Sequence, residues 1–252
     1  MLCLLLFALL TWQVAAHGAL RTLDERWGLA LSASAVPAPV AQFFADLGNA
    51  TVALPVLLAA VAWTLRPAVR AARRGRSPGR GTAAGPHGAQ GTAEVAGRGG
   101  SARGVLGRSG GGRVRWWVPG LAAVCTMLLV PAVVVPVKVW IGRPGPPRMA
   151  GAPHDGFFPS GHAATAAVAY GLVALLLLHA RRRPGLVRRA RGPVILAACV
   201  ALVNVGVGLG LVRQGYHWPL DVAASWCLSG VLLTLWSAGR ARWYETGGTG
   251  RS

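Results

Sequence analysis

Negative charge is scarce in this chain. Seven Asp and Glu stand against 26 Lys and Arg, and charged residues make up 13% of 252 positions. That share is about half of what soluble globular domains carry. With a mean hydropathy of +0.47 it excludes an ordinary water-soluble globule. Metal-ligand spacing is also missing. The four cysteines (Cys3, Cys125, Cys199, Cys227) each lie in an apolar run, so they read as small buried apolar residues rather than a disulfide or zinc framework. No internal repeat is visible.

What is abundant is apolar sequence. Six runs approach the roughly 17–25 residues that cross a bilayer core: 1–20, 48–65, 116–137, 163–180, 193–212 and 220–238. None has Asp, Glu, Lys or Arg in its interior. The pattern predicts an all-α integral membrane bundle of about six transmembrane helices. The first run reads as a retained helix. A cleaved signal peptide is the alternative, since Val14-Ala15-Ala16 offers small residues, but a basic leading segment is missing.

The chain divides into four parts. Residues 1–65 hold two helices and an outer loop, 66–115 form a linker, 116–239 form a core of four helices, and 240–252 form a tail. The linker is rich in Gly, Ala and Arg with one acidic residue, Glu94. It has no hydrophobic period, so disorder is expected. The linker, the basic loop after run four and the tail fall on one side of a six-span topology. The loops on the other side hold Asp24, Glu25, Asp46 and Asp155, four of the seven acidic residues. Lys and Arg gather on the cytoplasmic side of membrane proteins, which predicts both termini inside. The net charge of +19 is thereby assigned to topology and headgroup contact, and no nucleic acid partner is expected.

Three polar stretches meet on the opposite, outer face. Lys138 ends the third run, Pro159-Ser160-Gly161-His162 opens the fourth, and His217-Trp218-Pro219-Leu220-Asp221 opens the sixth. Serine is a preferred N-cap, glycine admits close backbone approach, and the free N–H groups of a helix start suit an oxyanion. His162 in the first turn is a proton donor by position. His217 and Asp221 are four residues apart, a spacing that brings side chains together on a helix. A carboxylate on one imidazole nitrogen frees the other to attack. The bland alternatives are a capped helix, an aromatic belt at the interface and a snorkelling lysine. Arg143, Arg148 and Arg213 flank these motifs on the face where topology does not require basic residues, and a phosphate would supply the missing negative charge.

Lined up, these residues resemble the type-2 phosphatidic acid phosphatase family, which shares its site with vanadium haloperoxidases. The family pattern is a lysine, six residues and Arg-Pro; then Pro-Ser-Gly-His; then Ser-Arg, five residues, His, three residues and Asp. The resemblance covers about 117–239. Two positions depart from it: Gly145 stands at the first arginine position, with Arg143-Pro144 two residues earlier. Gly210-Leu211 replaces Ser-Arg, with Arg213 two residues later.

The resemblance implies hydrolysis of a lipid phosphate or pyrophosphate through a phosphohistidine. His217 is the nucleophile, Asp221 orients it and His162 is the acid and base. Lys138, Ser160, Gly161 and, from shifted positions, Arg143 and Arg213 hold the phosphate, with Arg148 competing for the role of Arg143. No metal and no cofactor is implied, and the partners are the lipid substrate and the bilayer of a bacterial plasma membrane. Phosphotransfer between lipids, halide oxidation or a degenerate lipid-binding protein are the alternatives.

Overall fold

An unbroken apolar run of about twenty residues satisfies its backbone inside lipid as helix, and most of the described residues are helical. The structure, a computed structural model, describes residues 1–74, 118–151, 156–181 and 191–246. Eight α-helices follow in order: α1 (Leu2–Ala15), α2 (Ala19–Ser32), α3 (Ala38–Asp46), α4 (Ala50–Arg74), α5 (Val118–Ile141), α6 (Gly161–Arg181), α7 (Gly192–Arg213) and α8 (Pro219–Thr246). Among these residues, α4 to α8 are each long and apolar enough to cross a membrane, and α1 with α2, bent by 86°, would add a sixth only if the pair were taken as one span. The chain is an integral membrane protein.

α6 is the centre of the bundle. It packs against α4, α5, α7 and α8. Its buried face is largely alanine, with Ala163, Ala164, Ala166, Ala167 and Ala169 closed from solvent. Small residues let helix backbones approach closely, which drives association where lipid removes the hydrophobic term. α8 adds polar ties of the same kind: the Ser225 hydroxyl donates to the Ser160 carbonyl at 2.8 Å.

The first run does not continue straight to residue 20. α1 stops at Ala15, His17 adopts a left-handed φ of 54°, and α2 leaves at 86° to α1. The reason lies in α2 itself, which carries Arg21, Asp24, Glu25 and Arg26 and cannot enter lipid on its own. The expected outer loop is accordingly two helices. α2 presses on the start of α8, and α3 packs along α7. Gly206 and Gly210 make the latter contact possible: a Cβ on Gly210 would lie 2.5 Å from the Ala41 carbonyl oxygen.

Two other expectations change. α4 continues through Arg74 into the expected linker; the rest of 66–115 lies outside the described residues, as do most of the basic loop after α6 and Asp155. All four cysteines are free, but Cys125 and Cys199 are exposed on the bundle exterior rather than buried. In a membrane protein an apolar run faces lipid as readily as core.

Candidate active site

The motif-bearing helix ends converge at one end of the bundle. α7 stops in a Schellman motif: the Gly215 N–H donates to the Val212 carbonyl, the Tyr216 N–H to Leu211, and Gly215 takes φ of 65°. The chain therefore turns at once into His217. Pro219 then opens α8, and the Asp221 carboxylate reaches back to the Trp218 N–H at 3.0 Å, half of a capping box. Ser160 caps α6, its hydroxyl accepting from the Ala163 N–H at 3.3 Å. The two helix starts are tied directly, since the Ser160 N–H donates to the Asp221 carbonyl at 3.0 Å.

The rings of His162 and His217 face one another with centroids 6.3 Å apart. Nδ1 of His217 lies 3.4 Å from Oδ2 of Asp221, and Asp221 is fully buried. Neither Nε2 of His217 nor the ring of His162 has a hydrogen-bond partner among the described residues. Both rings line one cavity of about 980 Å³ with Lys138, Gly161, Thr165 and Tyr216. Lys138 is the single lysine of the chain. Its Nζ donates to the Gly156 carbonyl at 3.0 Å. Gly156 must be glycine there: its φ is 104°, and a Cβ would meet the Lys138 carbonyl at 2.7 Å.

Away from this polar end the cavity walls become apolar. Leu54, Leu57 and Leu58 of α4 and Val124, Leu128 and Val135 of α5 line it. α4 and α5 each pack on α6, and the groove runs between them.

The arginines lie off this cavity, although Arg148 and Arg213 line a second, smaller cavity of about 230 Å³ with His217. Arg143 is 1% exposed and does not face the cavity. Its Nη1 donates to Asp221 Oδ1 at 2.7 Å and its Nη2 to Asp24 Oδ2 at 2.6 Å. Arg213 donates to the carbonyls of Ser32 and Val36, at the end of α2 and beyond it. Arg148 donates to Gln214 and lies over the Tyr216 ring. Arg143 and Arg213, expected to reach the phosphate from shifted positions, here donate to other oxygens, and neither lines the cavity of His162 and Lys138. The Ser160 hydroxyl is likewise buried as a cap, outside the cavity wall. The vacant family positions are filled by packing. Leu211 is 1% exposed among Ala45, Ala163, Ala166 and Val207, and Gly210 abuts the α3 backbone.

Sequence reasoning missed Asp24. Its Oδ1 accepts from the Leu220 N–H at 2.7 Å, and burial pushes its carboxyl up to about 6 against the opposing pull of Arg143 and Leu220. An acidic residue in an amphipathic helix beside Arg21, Glu25 and Arg26 carries no local mark of burial.

The PAP2 superfamily profile matches residues 119–244, half of the chain. The chain belongs to the PAP2 superfamily. A transmembrane PAP2-type phosphatidylglycerolphosphate phosphatase from Bacillus subtilis shares the fold, with a TM-score of 0.65 and 20% identity over 96% of this chain and 98% of that one. No curated protein matches the sequence. The PAP2 profile covers α5 to α8 and leaves α1 to α4 outside, Asp24 included.

Proposed function

We propose that this PAP2 protein is a lipid phosphatase working at the extracytoplasmic face of a bacterial plasma membrane. One observation carries the reading. His217, held by Asp221, faces His162 across the polar end of a cavity whose remaining walls are apolar. A lipid phosphate fits that gradient, with its phosphoryl group between the rings and its chain in the groove between α4 and α5.

The chemistry follows from the tautomer that a carboxylate beside Nδ1 favours. With Nδ1–H of His217 directed at Asp221, Nε2 holds a lone pair and attacks phosphorus. The P–O bond to the lipid breaks as His162 gives its proton to the leaving oxygen. Neutral His162 then takes a proton from water, the hydroxide attacks phosphorus, the P–N bond breaks, and phosphate leaves with His217 restored. Lys138 and the Gly161 N–H at the helix start stabilise the equatorial oxygens. No step calls on a metal or cofactor.

The fold relative makes phosphatidylglycerol phosphate the first substrate to assay, beside phosphatidate and a polyprenyl pyrophosphate. Protein purified in detergent should release phosphate with EDTA present, and His217→Ala should lower kcat on the order of a thousandfold or more. An acid-labile radiolabel should be trapped on the wild type and not on that variant. Label passed to an added lipid alcohol in place of water would mean phosphotransfer. No release from any of the lipids, or release that survives His217→Ala, would overturn the reading.

A further inference from the structure

Asp24 and Gly28 are the two buried residues of α2. They lie four apart, on one face of the helix, and both touch the segment that carries His217. A Cβ on Gly28 would stand 2.6 Å from the Trp218 ring, so α2 is pressed directly on this turn. The Asp24 side chain is 1% exposed, and Arg143 and Asp221 are wholly closed. Asp24 acts on the turn by two routes. One oxygen takes the Leu220 N–H at the first turn of α8. The other takes Nη2 of Arg143, whose Nη1 grips Asp221.

Burying three charges is costly, and such a group seldom adds net stability over an apolar replacement. Its retention here asks for another reason. Arg143 alone against Asp221 would neutralise the carboxylate that must support positive charge on His217. A second carboxylate on the far side of Arg143 divides that attraction and leaves the trio with one net negative charge. Arg143, held by Asp24 on its other nitrogen, takes one oxygen of Asp221 and leaves the second for Trp218 and His217.

We propose that Asp24, from the amino-terminal helix α2, is a positioning residue for His217, acting through Arg143 and Asp221. The inference rests on the phosphatase reading for its kinetic consequence, though its electrostatic consequence does not. The other charged or titratable groups near the trio and the ring are Glu25, at 3.6 Å from Arg143, Arg21 paired with Glu25, His162 and Lys138 across the main cavity, and Arg148 and Arg213, which line the smaller cavity with His217.

The test is histidine NMR of the full chain in micelles, with His217→Gln to assign the resonance. Asp24→Asn keeps the shape but turns an amide N–H toward Arg143. At neutral pH the His217 ring should then titrate at a lower pH than in the wild type, because less negative charge faces it. In turnover, kcat should fall about tenfold to a hundredfold, the worth of a charge-assisted hydrogen bond, with KM nearly constant. Arg143→Lys, which keeps the charge but cannot bridge both carboxylates, should lower kcat in the same way and serves if Asp24→Asn does not fold. A His217 midpoint unmoved by either variant would overturn the proposal even in a chain without turnover. So would kcat per folded molecule equal to wild type. Absence of turnover in the wild type, with the midpoint shifted as expected, would overturn the phosphatase reading alone.

Discussion

Each basic side chain near the site is assigned by what its nitrogens touch. Lys138 lines the cavity, donates to one carbonyl and has N–H groups to spare, whereas Arg213 is anchored on two backbone carbonyls. Lys138→Met should therefore cost about tenfold to a hundredfold in kcat/KM, and Arg213→Ala should stay within about twofold of wild type. Phosphate-release assays on the two variants check this contrast. Asp24 gives a second expectation. Its carboxyl holds a proton more tightly folded than unfolded, so its contribution to stability falls as pH rises from 3.8 to about 6. Thermal unfolding across that window should show a shallower pH dependence in Asp24→Asn. The meeting of His162, His217, Asp221 and Lys138 was legible in the sequence, because each opens or ends an apolar run on the same face. The true place of Arg143 was not. Whether a guanidinium faces a cavity or a carboxylate is decided by a partner 119 residues away, on a helix that reads as a water-exposed surface.

At the level of elements, hydrophobic runs placed the starts of α4 to α8 within about two residues, because length and absence of charge are what lipid demands, while α4 and α8 run on past the apolar stretch to Arg74 and Thr246. They missed α2 and α3, which are short, polar or both, and whose helicity depends on packing against α7 and α8. Gly206 and Gly210 were the available sign, since paired glycines in a span invite another backbone. The groove between α4 and α5 is the element-scale basis for a lipid tail. Leu128→Trp would fill part of it. KM should rise for a long-chain lipid phosphate and remain near wild type for a short, soluble phosphate ester. Equal effects on both would place the tail elsewhere.

Taken whole, the molecule separates its two polar inventories. The helix ends with Lys138, His162 and His217 lie together, and Arg66, Arg191, Arg240 and Arg242 lie at the other end of the bundle. Exposed Trp12, Trp27 and Trp140 near the motif end suit a headgroup boundary. If the arginine-rich end is cytoplasmic, trypsin should cut within 66–115 in inverted vesicles and spare it in intact spheroplasts, as read by immunoblot of either terminus.

The embrace of α8 by α1 and α2 has a genetic corollary. A fragment holding only the profile-matched half would leave Arg143 with a single carboxylate and bare the side of α8 that α1 covers. Two open reading frames, parted within the arginine-rich connector and expressed together, should restore phosphate release, while the downstream frame by itself should yield none.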